Sequence, residues 1–362
     1  MQEEIRKKLT EAKETIKKCV GKKGFYAGDY YKQYWTRDFV YSLDAILELD
    51  FIDLAKSHYR EIFKKQKSTG EVPTFIRNKE DLIPTLIGYF SGILTTINYR
   101  GLHVFNPSQL TFFKEHHEWT ADSNILAIIG LKKYESYTKD RSLFKENEEK
   151  ISKILNFIEI KTESEFKFIR GSGWADAMEN YKDKFCLVTQ VLLYEMYKFL
   201  KEENKAENLK KNINEFFWNE ELGYYTDYLG GNRFDALGNS LAIINDIVPK
   251  ERIDKLLESF NIASTRFGYR NLFPPYRMSE CSQKPNTYQN SSIWPFICAN
   301  VIISFVKVGL IENAKEEFFK MSKLKGFNEW YCPITGKPKG SNNQLWSAAG
   351  YIKAYDVLNE YL

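Results

Sequence analysis

Apolar positions repeat with a helical period along almost the whole chain, and the helices they predict are of two kinds. Residues 3–20 place Ile5, Leu9, Ala12, Ile16 and Cys19 on one stripe, with lysine and glutamate elsewhere, the pattern of a surface helix with one buried face. Residues 204–217 (Ala206, Leu209, Ile213, Phe216) and 311–323 (Ile311, Ala314, Phe318, Met321) repeat it. By contrast, FCLVTQVLLYEMYKFL at 185–200 and IWPFICANVIISFVKV at 293–308 are apolar nearly all round. Such helices are buried on most sides.

The two kinds alternate. Apolar segments lie near 38–48, 121–136, 184–200, 234–247, 291–308 and 342–360, and one-faced segments near 51–66, 147–161, 204–217, 249–260 and 311–323, with 3–20 supplying the missing outer partner. Six inner and six outer helices predict an all-α fold, an (α/α)6 barrel in which an outer ring shields an inner one and the terminal helices close the circle. An open array of helical hairpins is the rival, but no fixed-period repeat is visible and the connections are very unequal. Short strand-like stretches at 223–228 and 330–334 read as hairpins decorating loops. The 362 residues are enough for one large core, and the reading is a single domain over 1–362.

Connections into the inner helices are the long ones: 21–37, 67–120, 162–183, 218–233, 261–290 and 324–341. In a barrel these all emerge on one rim, and long loops on a rigid scaffold carry binding residues. They read YYKQYWTRDF (30–39), EHHEWTADSN (115–124), RGSGWADAMENY (170–181), YYTDYLGGNRFDALG (224–238), NTYQNSSIWPF (286–296) and FNEWYCPITGKPKGSNNQLWS (327–347). Each joins aromatics to acids or amides. Asp38, Asp122, Asp176 or Asp235 alone could be a helix N-cap, but caps need no neighbouring tryptophan. Gly171 and Gly173 beside Asp176 let the backbone approach a ligand closely.

Composition narrows the function. The net charge of +4 comes from lysines spread over many segments, whereas nucleic-acid binding wants positive charge gathered on one surface; no nucleic-acid partner is expected. No run of eighteen apolar residues could span a bilayer, the amphipathic N-terminus is no signal peptide, and five unpaired-looking cysteines fit a reducing compartment, so the expectation is a cytoplasmic protein with no membrane partner. Four histidines without metal spacing predict no metal and no cofactor. The 15% aromatic content includes rings of the kind that stack on sugars. Splitting a sugar linkage also requires a proton donor and a second carboxylate, for which Asp176 and Glu329 are candidates.

WTRDF at 35–39, GSGWADAME at 171–179, the helix FCLVTQVLLYEM at 185–196, NSSIWPF at 290–296 and EWYCPITGKPKG…NQLWSAAGY at 329–351 together resemble the (α/α)6 glycosidases related to alkaline and neutral invertases, glycoside hydrolase family 63 and the glucosidase domain of glycogen-debranching enzymes. The likeness runs the length of the chain in the family's order. It implies an inverting glycoside hydrolase with Asp176 as general acid and Glu329 as general base, and a sugar subsite that includes Trp35, Arg37 and Asp38. Trp119, Asp122, Trp174, Gln289, Trp294 and Gln344 are further substrate-binding candidates. Arg37 has a structural alternative, bridging Asp38 to another loop, and Glu179 could assist or replace Asp176.

Departures from the family bear on substrate. Ala-Met-Glu-Asn after Asp176 lacks the arginine pair of the sucrose-cleaving members, and the region 67–120 is short beside the large insertions of the eukaryotic processing enzymes. A small α-glucoside or short oligosaccharide is therefore the expected substrate. A mannosylglycerate- or glucosylglycerate-type hydrolase is the alternative, with Lys337 and Lys339 as a weak clue to an anionic aglycone. A non-hydrolytic sugar enzyme or a carbohydrate-binding protein on the same barrel completes the set.

Overall fold

The computed structural model describes residues 2–77 and 120–362. Its helices are α1 (Gln2–Lys18), α2 (Thr36–Glu48), α3 (Ile52–Lys65), α4 (Ala121–Thr138), the short α5 (Ser142–Glu146), α6 (Glu148–Lys161), α7 (Leu187–Leu200), α8 (Glu203–Phe216), α9 (Ala236–Ile244), α10 (Lys250–Ser259), α11 (Pro295–Lys307), α12 (Ile311–Ser322) and α13 (Leu345–Leu358). Packing follows a ring: α2 on α4, α4 on α7, α7 on α9, α9 on α11, α11 on α13, and α13 back on α2. That last contact closes the inner circle, which an open stack of hairpins cannot do. The fold is an (α/α) toroid, as the alternation of helix types predicts.

Burial explains the alternation. Every residue of α4 from Ala121 to Leu131 is buried, because inner helices have neighbours on all sides. On α8 only Ala206, Leu209 and Ile213 are buried, one stripe against the inner ring. Each aliphatic side chain so enclosed contributes about 1.5–3 kcal/mol. At the seam, α1 packs on α13 and on α12, joining the two ends of the chain.

Inner helices pass to outer ones through tight turns. Leu200 is followed at once by Lys201 in the left-handed conformation (φ 61°) and α8 begins at Glu203. A two-residue link forces the outer helix to run antiparallel, so successive inner helices point the same way and their N-termini gather at one rim. Two-residue antiparallel strand pairs brace the long loops there: β1 (Tyr34–Trp35) with β2 (Phe75–Ile76), β3 (Trp218–Asn219) with β4 (Tyr224–Tyr225), β5 (Phe234–Asp235) with β8 (Leu272–Phe273), β6 (Ser264–Thr265) with β7 (Gly268–Tyr269), and β9 (Trp330–Tyr331) with β10 (Pro338–Lys339). No helix among the described residues is long and apolar enough to cross a membrane.

Candidate active site

Arg37 organises one side of the rim. It enters on the first turn of α2, buried, and its Nε donates to Asp122 Oδ2 at 2.7 Å on the first turn of α4. Its terminal nitrogens donate to the carbonyls of Trp174 (3.1 Å) and Gly173 (3.2 Å) and, at 3.4 and 3.5 Å, to Asp176 Oδ2. One guanidinium thereby ties α2 and α4 to the loop that carries Asp176. Gln289 approaches that loop from the other side: its Nε2 donates to Trp174 O (2.8 Å) and Asp176 Oδ1 (3.3 Å), and its Oε1 accepts from Ala177 N–H (2.9 Å). Asp176 is held by both and keeps 15% of its side chain exposed.

Glu329 stands at the base of the β9–β10 hairpin. Its N–H donates to Ser341 O at 2.8 Å, and Ser341 N–H returns a bond to Glu329 Oε2 at 3.0 Å. Tyr31 reaches it from the loop before α2, with Oη 3.4 Å from Oε1. The two loops are sewn together by Asp29 N–H to Asn342 O (3.0 Å), Asn343 Nδ2 to Asp29 (2.7 Å) and Leu345 N–H to Ala27 O (2.8 Å). Just inside, Gln344 Nε2 donates to Asp38 Oδ1 at 3.0 Å.

These carboxyl groups feel one another. Burial pushes Asp38 up to about 7; the Arg37 charge opposes that rise, while Glu329 and Asp176 add to it. Burial also pushes Glu329 up to about 7, against the Ser341 N–H and the hydroxyls of Tyr288 and Tyr31, with the Asp176 charge adding to the rise. Asp38, Asp122 and Asp176 lie around a single guanidinium, and Asp38 and Glu329, both raised to about 7, hold protons near neutral pH. A paired set of carboxyl groups with different surroundings can donate and accept protons in one reaction.

The aromatic candidates divide. Trp174 and Trp294 meet edge-to-face at 5.3 Å and pack on Phe296, while Trp346 stacks on Phe296 at 4.2 Å. Trp294 is only 1% exposed, so this cluster forms a floor within the barrel. Trp35 is half-buried at the start of α2, 4.8 Å from the Phe75 ring, with its Nε1–H on Gln33. Trp119 lies outside the described residues.

The structure also sorts the acids. Asp235 is the N-cap of α9, accepting from Leu237 and Gly238 N–H at 3.1 Å; Asp38 and Asp122 sit inside their first turns and make no such cap. Arg37 bonds to Asp122 and not to Asp38, unlike the bridge considered from sequence. Glu179 is exposed on the turn after Asp176. Gly173 serves packing: a Cβ there would lie 3.0 Å from Thr189 Oγ1 on α7. Lys337 and Lys339 are exposed on the hairpin that follows Glu329. Tyr31, Tyr288 and Ser341 were not singled out from sequence. Each lies in a segment that drew attention, but among 23 tyrosines nothing local marks the two that reach Glu329. Among the described residues no group of three or more His, Cys, Asp or Glu is arranged to hold a metal ion.

No family model and no curated protein matches the sequence. Solved structures match in fold. A GH63 mannosylglycerate hydrolase from Thermus thermophilus, in complex with Tris and D-glycerate, aligns over 96% of this chain and 99% of its own with a TM-score of 0.72 at 12% identity. A glycosidase variant in complex with glucose aligns over 98% and 97% with a TM-score of 0.67 at 9% identity. A rhamnosidase from Klebsiella oxytoca with rhamnose bound aligns over 98% of this chain and 64% of its own, with a TM-score of 0.67 at 13% identity. The architecture they share with this chain is the (α/α) toroid.

Proposed function

We propose that this protein is an inverting glycoside hydrolase, with Asp176 as general acid, Glu329 as general base and residues 1–362 as one catalytic domain. The observation that carries the reading is the cluster itself. Asp176 and Glu329 belong to different loops of one rim, the Asp176 charge reaches Glu329, and each is held by donors that fix its orientation. In the reaction, Glu329 takes a proton from water as the water oxygen bonds to the anomeric carbon. The bond from that carbon to the leaving oxygen breaks, and Asp176 supplies the leaving oxygen with its proton. A base with its midpoint near 7 is strong enough to take that proton and is ionised in about half of the molecules at neutral pH. Trp35, Arg37, Asp38, Asp122, Trp174, Gln289, Trp294 and Gln344 would shape the sugar subsite, Arg37 and Gln289 chiefly by holding Asp176.

For the substrate, a glycoside of the mannosylglycerate or glucosylglycerate type has more support than a neutral α-glucoside. The mannosylglycerate hydrolase of Thermus thermophilus shares the fold over nearly the full length of both chains, and the exposed Lys337 and Lys339 beside Glu329's hairpin suit an anionic aglycone. All five cysteines are free, which fits work in a reducing compartment.

Time-resolved proton NMR with mannosylglycerate, glucosylglycerate, sucrose, trehalose, maltose and isomaltose tests this. The expected result is a fresh sugar of inverted anomeric configuration from a glycerate glycoside, lost in Asp176→Asn and Glu329→Gln, with kcat/KM rising with pH through about 7 as Glu329 ionises. Retained configuration would remove Glu329 from the base role. Cleavage of the neutral disaccharides alone would restore the α-glucoside reading, and binding of sugars without turnover would make the protein a carbohydrate receptor.

A further inference from the structure

Glu329 is held more closely than a loop carboxylate needs to be. Its Oε2 is spoken for by Ser341 N–H at 3.0 Å and pressed by the backbone of Gly340, where a Cβ would lie 2.3 Å from that oxygen. Tyr31 Oη lies 3.4 Å from Oε1 and 3.5 Å from Oε2. The Tyr288 ring lies 6.3 Å from that of Trp330, the residue after Glu329, and its hydroxyl opposes the rise of the Glu329 carboxyl. These two tyrosines come from opposite parts of the sequence, and each is braced by a tryptophan: Tyr31 by Trp35 (ring centroids 6.0 Å) and Tyr288 by Trp294 (5.3 Å).

Tyr288 occupies its place at a conformational cost. Its φ is +46°, in the left-handed region where a bulky side chain is an outlier, and Asn286 (+62°) and Ser291 (+73°) flank it in the same region. Such backbone persists only where the surroundings over-determine it, and it gathers at functional sites. Here the Tyr288 carbonyl accepts from Trp294 Nε1 at 3.0 Å and from the Ser292 hydroxyl, and Gln289 N–H is fixed on Gln283 at 3.1 Å. The ring so held packs between Trp294 and Trp330, which brings its hydroxyl to the side of the site where Glu329 stands.

We infer that Tyr288 and Tyr31 are positioning residues for Glu329, a two-hydroxyl clamp on the carboxylate that takes the proton from water. The inference rests on the reading of Glu329 as the general base. Burial and the Glu329 charge push both phenols well above their ordinary value, so they remain donors throughout the working pH range. Donors stabilise the carboxylate over the carboxylic acid, while Asp176 and Asp38, the other charged groups felt by Glu329, act in the opposite sense.

The test is a titration that reads Glu329 itself. Protein labelled with carbon-13 at the glutamate side-chain carboxyl is followed by NMR from pH 4 to 9, and Glu329→Gln assigns the signal by its disappearance. Tyr288→Phe and Tyr31→Phe keep the rings and remove the hydroxyls; each is expected to move the midpoint upward from about 7, by roughly one pH unit, and to move the rising limb of kcat/KM with it. An unchanged midpoint in both variants, with near-ultraviolet circular dichroism showing the fold intact, would overturn the clamp. Full turnover by Glu329→Gln would instead remove the base assignment, and the titration would still report whether the hydroxyls act on this carboxyl.

Discussion

Arg37 Nε and Asp122 Oδ2 lie 2.7 Å apart with both side chains buried, and the same guanidinium holds the loop of Asp176 through two carbonyls. The pair belongs to adjacent inner helices, so it fixes the ring and the site together. Removing one partner leaves a buried charge without its counter-charge. Asp122→Ala should cost about 3–5 kcal/mol, read as a fall in the urea midpoint with little change in slope. Asp122→Asn, which keeps an acceptor, should cost less. A loss within the error of the fit for Asp122→Ala would mean that the pair does not hold the ring.

Gly340 offers a second test, because it separates stability from chemistry. Its φ of +69° is strained for any other residue, and an added Cβ would displace Glu329 Oε2. Gly340→Ala should lose about 1–3 kcal/mol of stability, whereas misplacing a reacting group by an ångström can cost roughly a hundredfold in rate. Comparing kcat/KM with the thermal midpoint decides between the two effects. Equal activity in a destabilised variant would show that Glu329 tolerates the shift and that its position is not critical.

Asp38 gives a pH-dependent prediction. Its carboxyl is raised from 3.8 to about 7 by burial, so the folded state binds its proton more tightly than the unfolded state does. The stability associated with that proton is fully present below pH 4 and is lost as the pH rises through about 7. Asp38→Asn, which is neutral at every pH, should therefore gain on the wild type between pH 4 and pH 8 in parallel denaturation series. A constant difference across that range would show that Asp38 titrates as it does in the unfolded chain.

Much of this was legible in the sequence because burial leaves a periodic trace. The near-continuous apolar run of 185–200 and the one-sided stripe of 204–217 record how many neighbours each helix has, and the observed α7 and α8 follow from that difference alone. Acids beside tryptophans pointed to the loops from which Arg37, Asp176 and Glu329 approach one rim, because long loops on a rigid scaffold gather polar groups.

What the sequence by itself determined, then, is the order and kind of the helices and the rim on which the unusual residues collect. Only the tertiary structure decided which of those residues meet. Arg37 pairs with Asp122 across 85 positions and not with its neighbour Asp38; Asp38 takes Gln344 across 306; and Glu329 takes Tyr31 across 298. The first pairing follows from the packing of neighbouring inner helices, and the other two from ring closure, which brings the first and last inner helices into contact. Periodicity is a local property of the chain, whereas the distance between two side chains on different loops is set by the whole barrel.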